Sequence, residues 1–354
     1  VGTATIFPFE MTVPGGAAMP VAGVTMVTVA ATHRRRGILR QVMGRQLRDI
    51  RDLGEPGAIL WASESPIYGR FGYGLAMQHE KLSIDRRYAE LAHGPTAPGR
   101  VRWVAEKEAR KIFPKVWDQA RPLRPGMIAR TPPWWDNLFH DPEWRRWGGG
   151  GAYFFAVYEE EGRPDGYVMY RIKREMVDMT EANVLMVAEL VTATDAAYAA
   201  LWRFCLNIDL TGAVEAWSRP LEEPLSWMLA DPRRLRRSPY DALWLRLVDV
   251  PAALSKRTYA QQGKLVIEVR DDFCPWAAGR FNLEGGPEGA ECKAATSKPD
   301  IVLGKAELSA IYMGGHRLTP IARAGRAEER TPGALARADA MFAADVAPWC
   351  PQGF

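Results

Sequence analysis

A chain of 354 residues exceeds what one compact core commonly serves, so two or three domains are expected. Hydrophobic residues make up 47% and charged residues 25%, which excludes an extended disordered polypeptide. Lysine and arginine exceed aspartate and glutamate by 46 − 42 = 4, too small an excess for a dedicated nucleic-acid binder, and no nucleic-acid partner is expected.

Residues 1–14 and 23–30, rich in β-branched side chains, read as two neighbouring strands joined by "GGAAMPVA". After Gly37, the apolar residues Ile38, Leu39, Val42, Met43, Leu47, Ile50 and Leu53 recur at three- and four-residue steps and stop at Gly54, which predicts an amphipathic helix. "AILWAS", residues 58–63, predicts a short strand buried on both faces. "PIYGRFGYG", residues 66–74, is a tight loop of aromatics between glycines, the kind of loop that carries function, and residues 79–87 alternate as a strand. Proline and glycine in residues 93–100 mark a boundary.

Beyond it, "GGGGAYFFAVYEEEGRPDGYVMYRI" predicts two strands about a Gly-Arg-Pro-Asp-Gly turn, and "DAAYAALWRFCLNI" a helix. "RSPYDALWLRLVDVPAALS" leads into a third segment with strands at "KLVIEV", "GRFNLEG" and "DIVLG" and a helix at "AELSAIYMGG". The chain closes with a helix around "ADAMFAAD" and an irregular tail, "VAPWCPQGF". Cys205, Cys274, Cys292 and Cys350 have no CxxC pairing and no histidine at ligand spacing, so reduced thiols, no metal and a cytoplasmic setting are expected. No apolar run approaches the roughly 18 residues that span a bilayer, so no membrane association is expected. The numbering opens at Val1 inside an apparent strand, and a targeting segment ahead of it stays open.

The stretch "ATHRRRGILR", residues 31–40, sets three arginines and a glycine between a strand and a helix. Arg34, Arg35, Arg36 and Gly37 are expected to build the first turn of that helix, where cations oppose the dipole. An anion held by the unpaired N–H groups would resolve the conflict, and Gly37 would let it approach the backbone. From charge alone, a solvated basic face is the leading reading, and it is the placement between strand and helix that favours the anion. His33 reads as a loop residue and His316 as a surface turn residue, while Ser63 lacks the GxSxG elbow of a nucleophilic serine.

"VTVAATHRRRGILRQVM" resembles the acetyl-coenzyme A signature of GNAT acetyltransferases: Arg34 to Gly37 match its first part, and Leu39 stands where a final small residue would be. With "ASESPIYGRFGYG", "VPAAL" and a terminal phenylalanine, the chain resembles the enhanced intracellular survival (Eis) family over nearly its whole length. The resemblance implies an α/β (α+β) architecture. A GNAT acetyltransferase domain over residues 1–95 would lack its first strand and two helices; a second GNAT-like domain without a cofactor motif would cover 96–245, and a sterol-carrier-protein-like domain with a catalytic C-terminal tail 246–354.

The same likeness implies acetyl-coenzyme A as donor, a primary amine as acceptor, aminoglycosides acetylated at several positions, and a homohexamer. Met26, Val27 and Val29 would offer backbone groups to the pantetheine arm and thioester, and Arg34, Arg35, Gly37 and Ile38 would hold the pyrophosphate. Tyr68 would be the general acid and the terminal carboxylate of Phe354 the general base. A free α-carboxyl, with a pKa of about 3.5, is a weak base in water and a stronger one when buried beside apolar groups. Trp349 and Phe354 favour a docked tail over a loose one. Gln352 and Gly353 bring no acidic side chain, so attraction for a polycation would come from elsewhere. Protein lysine acetylation is the alternative within the same chemistry. A lipid carrier acting through the C-terminal domain is the alternative outside it, although "GGPEGAECKAATSKPD" is short of the apolar positions that a lipid tunnel needs.

Overall fold

The β-branched stretches at the start of the chain form an antiparallel pair, β1 (Gly2–Thr12) and β2 (Ala18–Val29), the second beginning inside the segment predicted to join them, in the computed structural model, which describes residues 1–354 apart from the Trp147 side chain. Met19, Val21, Ala22 and Val24 of β2 are buried. The helix predicted from three- and four-residue spacing is α1 (Ile38–Asp52); it buries Met43, Leu47 and Ile50 and ends before Gly54, whose φ of 77° supplies the left-handed residue that closes many helices. The wholly apolar run is β3 (Gly57–Trp61), buried from Gly57 to Leu60. The aromatic-glycine stretch is not a plain loop. It forms α2 (Ser65–Tyr68) and a 3₁₀ turn, Gly69–Phe71, leading into β4 (Gly74–Leu75).

The sheet is completed from far along the chain. Strand Leu243–Leu247 pairs antiparallel with both β3 and β4, giving the order β1, β2, β3, Leu243–Leu247, β4. The chain divides into two compact units: residues 1–78, 124–128 and 241–354 form one, and residues 79–123 and 129–240 the other. The first also holds a five-stranded sheet, Gly289–Ala294, Gly279–Gly286, Gly263–Arg270, Ile301–Gly304 and Ala327–Glu329 in spatial order, with helices Val250–Lys256, Lys305–Ile311, Leu318–Arg323 and Ala334–Phe342.

The second unit is built on a seven-stranded sheet in which Gln78–Asp85, Thr211–Pro220, Asn183–Thr192 and Arg163–Lys173 are interior strands. Its hairpin turns at Glu161 and Gly162, with φ of 52° and 80°, and not across the five residues expected. Two left-handed residues match the twist of the flanking strands, so Arg163 and Pro164 already belong to the second strand. The four cysteines are buried and unbridged. Among the described residues, no helix is long and apolar enough to cross a membrane.

One buried histidine in this unit makes a pH prediction. His79 is fully buried, with Nδ1 2.8 Å from Ser218 Oγ, and burial followed by the charge of Arg219 pushes its pKa down to about 3. A folded-state value below the unfolded one means that the stabilisation is present above the unfolded pKa, near 6.5, and is lost as the pH falls toward 3. The loss is on the order of 4 kcal/mol at pH 3. Thermal melts of His79→Asn between pH 7 and 3 should fall less steeply than those of the unmodified chain; parallel curves would remove this histidine from the account.

Candidate functional site

β2 and β3 run parallel for only three residue pairs, Val21↔Gly57 to Gly23↔Ile59. Past that point β2 continues to Val29 and β3 to Trp61 without pairing to each other, so the facing backbone edges part. In this unpaired stretch β2 carries a bulge: Thr5 faces Thr25 but Thr3 faces Thr28, and Met26 takes up the extra residue with a φ of 50°. Met26 is 67% exposed, and its carbonyl accepts a hydrogen bond from Thr3 Oγ1 at 2.8 Å. Val27 and Val29 are half-buried, and Val27 packs against the core cluster that includes Val24, Leu60 and Tyr68.

At the end of β2, residues Ala31–His33 make a 3₁₀ turn, with His33 Nδ1 2.9 Å from Thr32 Oγ1, and Arg34, Arg35 and Arg36 follow, exposed. These arginines do not form the first turn of the helix, as the spacing predicts; α1 begins at Ile38, with Gly37 as its N-cap. The reason is backbone handedness. Arg35 at φ 62° and Gly37 at φ 77° are left-handed residues, which a right-handed helix does not accommodate. Left-handed residues among right-handed or extended ones bend successive N–H groups into a concave nest, a shape that suits an anion. A Cβ on Gly37 would meet nothing within 4 Å, so the glycine serves the φ value and leaves open space above it. The first N–H groups of α1 add their dipole to the same corner.

Tyr68 closes α2 and is 7% exposed. Its ring meets that of Tyr73 edge-on at 6.0 Å, and burial raises its phenol pKa above the ordinary value of 10. Tyr73 N–H donates to the Tyr68 carbonyl at 3.4 Å and Gly72 N–H to the Gly69 carbonyl at 3.0 Å, which closes the turn on itself.

The tail is irregular but tied down. Trp349 N–H donates to the Pro125 carbonyl at 2.8 Å and Arg124 Nη1 to the Ala347 carbonyl at 3.0 Å. Trp61 Nε1 donates to the Gln352 carbonyl at 3.2 Å, and Thr25 Oγ1 to the Phe354 backbone oxygen at 3.3 Å. The Phe354 ring lies 4.9 Å from that of Phe9. The last residue is thereby held at the place where β2 and β3 separate. Phe9, Gly23, Thr25 and Trp61 were not anticipated as parts of this site. None of the four gave a signal in the sequence; the structure puts Gly23 inside β2, where a glycine allows a close approach. A Cβ there would lie 2.4 Å from the Phe9 ring and 3.1 Å from that of Phe354.

His316 is not a surface turn residue. It is half-buried beside a cavity of about 400 Å³ that Tyr73 and Trp244 also line, its Nε2 is enclosed without a hydrogen-bond partner, and burial lowers its pKa. Among the described residues, no group of three His, Cys, Asp or Glu side chains is placed to hold a metal ion.

Residues 1–76 and 126–247 each match an acetyltransferase (GNAT) domain family, and residues 250–351 match a sterol carrier protein domain family. An uncharacterized N-acetyltransferase of Streptomyces avermitilis is 43% identical over 355 residues, covering 100% of this chain and 87% of that protein. N-acetyltransferase Eis of Mycobacterium tuberculosis is 37% identical over 354 residues, covering 98% of this chain and 84% of the relative. The crystal structure of Eis1 from Mycobacterium abscessus superposes with a TM-score of 0.87 at 35% identity, covering 100% of this chain and 87% of that one. The architecture is thus two GNAT domains followed by a sterol-carrier-protein-like domain.

Proposed function

Because the chain belongs to the Eis family of GNAT N-acetyltransferases, we propose that it acetylates primary amines, with aminoglycosides modified at several positions as its acceptors. The observation that carries this reading is the tethered tail: Phe354 is bonded to Thr25 at the parting of β2 and β3, and Tyr68 is packed in the cluster that holds Val27 of the same strand.

The residues fit acetyl-coenzyme A, the donor that GNAT domains use. Met26, Val27 and Val29 lie on the unpaired edge of β2, where an extended pantetheine arm can take the place of a strand. The left-handed pair at Arg35 and Gly37, with Arg34 and the first turn from Ile38, suits a pyrophosphate. In the transfer, the acceptor nitrogen bonds to the thioester carbon and the C–S bond breaks. The Phe354 carboxylate takes the proton leaving the amine, the Tyr68 phenol gives its proton to the departing sulfur, and a backbone N–H near Val27 faces the developing oxyanion. Residues 1–95 carry this chemistry, 96–245 form the second GNAT-like part without a donor site, and 246–354 supply the tail. The working assembly is a homohexamer in the cytoplasm, a setting that suits four reduced thiols.

Thiol release from acetyl-coenzyme A with a panel of aminoglycosides and a lysine peptide tests the reading. Turnover with the peptide alone would move the acceptor to protein lysine, and no turnover with either would end the proposal. In the same assay, Arg34→Ala combined with Arg35→Ala should raise KM for acetyl-coenzyme A by about tenfold or more while kcat changes little, since charge-assisted contacts to the donor phosphates hold the ground state and transition state alike. A KM that does not move would show these arginines to be only a solvated face.

A further inference from the structure

Arg246 stands in the strand Leu243–Leu247 between Leu245 and Leu247, two core residues, and is itself 0% exposed. A guanidinium in such a place needs its donors engaged, and here the two terminal nitrogens are, while Nε is enclosed without a partner. Its Nη1 donates to the carbonyl of Phe71, and its Nη2 donates to Asp271 Oδ2 at 2.5 Å. The other oxygen of Asp271 accepts from the N–H groups of Phe273 at 3.2 Å and Cys274 at 2.9 Å, which fixes the carboxylate. Lys305, also buried, donates its ammonium to the Ala277 carbonyl at 2.8 Å.

The next residue along, Gly72, records how closely the guanidinium approaches. Its φ is 79°, and a Cβ there would lie 1.8 Å from Arg246 Nη1. The Phe71 ring packs on Phe273 at 4.9 Å, so backbone and side chain of Phe71 both meet the segment that Asp271 organises. Phe71 belongs to the same turn as Tyr68, which is closed by the bond from Tyr73 N–H to the Tyr68 carbonyl.

We infer that Arg246 is a positioning residue for Tyr68: oriented by Asp271, it holds the Phe71 carbonyl and so fixes the turn that presents the phenol. The inference rests on the reading of Tyr68 as general acid. It gives the sterol-carrier-like segment, to which Asp271 belongs, a part in acetyl transfer that involves no lipid.

The test must separate positioning from bulk stability. Removing Arg246 alone leaves a buried carboxylate unpaired, so the chief variant is Arg246→Met with Asp271→Asn, which leaves neither charge. Three quantities are read: kcat and KM for acetyl-coenzyme A with kanamycin as acceptor, and amide hydrogen exchange at Gly72 and Tyr73. Positioning predicts a fall in kcat of about 10²-fold, as for a small misplacement of a reacting group, with KM within about twofold. Exchange at both amides should rise, and adding Tyr68→Phe should cost little more, because the phenol is already out of place. Unchanged exchange at both amides, or wild-type kcat in the paired variant while Tyr68→Phe alone is slow, would overturn the tether. Wild-type kcat in Tyr68→Phe alone would instead overturn the acid assignment, and exchange would then decide the tether by itself. If the paired variant does not fold, Arg246→Lys, which keeps a cation beside Asp271 but loses the fork, is read by the same exchange and kcat criteria.

Discussion

Tyr68→Phe is expected to lower kcat by about 10² to 10⁴-fold, the usual contribution of a positioned proton donor, and to leave KM for acetyl-coenzyme A nearly unchanged. Phenylalanine keeps the ring that packs against the core cluster and deletes only the oxygen, so folding is little affected. The pH profile supplies a second reading of the same group. Burial raises the phenol pKa, so the donor form persists to higher pH than in an ordinary tyrosine. The tyrosine-dependent descent in kcat of the unmodified enzyme should therefore have its midpoint above pH 10, and that descent should be missing from the variant. Steady-state kinetics on both sides of that pH check both statements, and undiminished turnover in Tyr68→Phe would remove it as the acid.

Converting the terminal carboxylate of Phe354 to an amide is expected to lower kcat by about 10²-fold or more, with donor affinity retained. The amide keeps the ring 4.9 Å from Phe9 and the backbone oxygen that Thr25 holds, so it subtracts only the charge and the basicity. Deleting Phe354 does more, since it draws the chain end back by about 3.5 Å and vacates the space over Gly23. The deletion should be at least as slow as the amide. Semisynthetic enzyme assayed for thiol release decides the matter: an amidated chain at full speed would show that the tail contributes packing and no base.

How far such a site can be read from residues alone depends on what each feature needs. α1 and β3 were legible because spacing and an uninterrupted apolar run are local properties. The strand Leu243–Leu247 alternates visibly, but alternation names no partner, and its place between β3 and β4 depends on pairing across some 180 positions. Arg246 in that alternation reads as a polar residue facing out; only Asp271 and the Phe71 carbonyl, both remote in sequence, make its burial possible. The left-handed backbone at Arg35 had no local sign, since arginine has no preference for positive φ, and so the helix start was placed too early. The docking of the tail was suggested by its aromatics, but the receiving residues, Thr25 and Trp61, looked like ordinary strand positions.

The strand order of the first sheet also governs when this protein becomes competent during its synthesis. β3 and β4 cannot gain their shared neighbour until Leu247 has been made, and residues 79–123 and 129–240 must come before it. Pairings of such large sequence separation form late, because the entropy of closing the intervening loop is lost before the contacts return it. The ribosome therefore releases the segment around Asp271, and after it Phe354, later than the strand that completes this sheet. A nascent chain that stops short of Leu247 carries the arginine-glycine corner and Tyr68 on a sheet whose β3 and β4 still lack their shared neighbour.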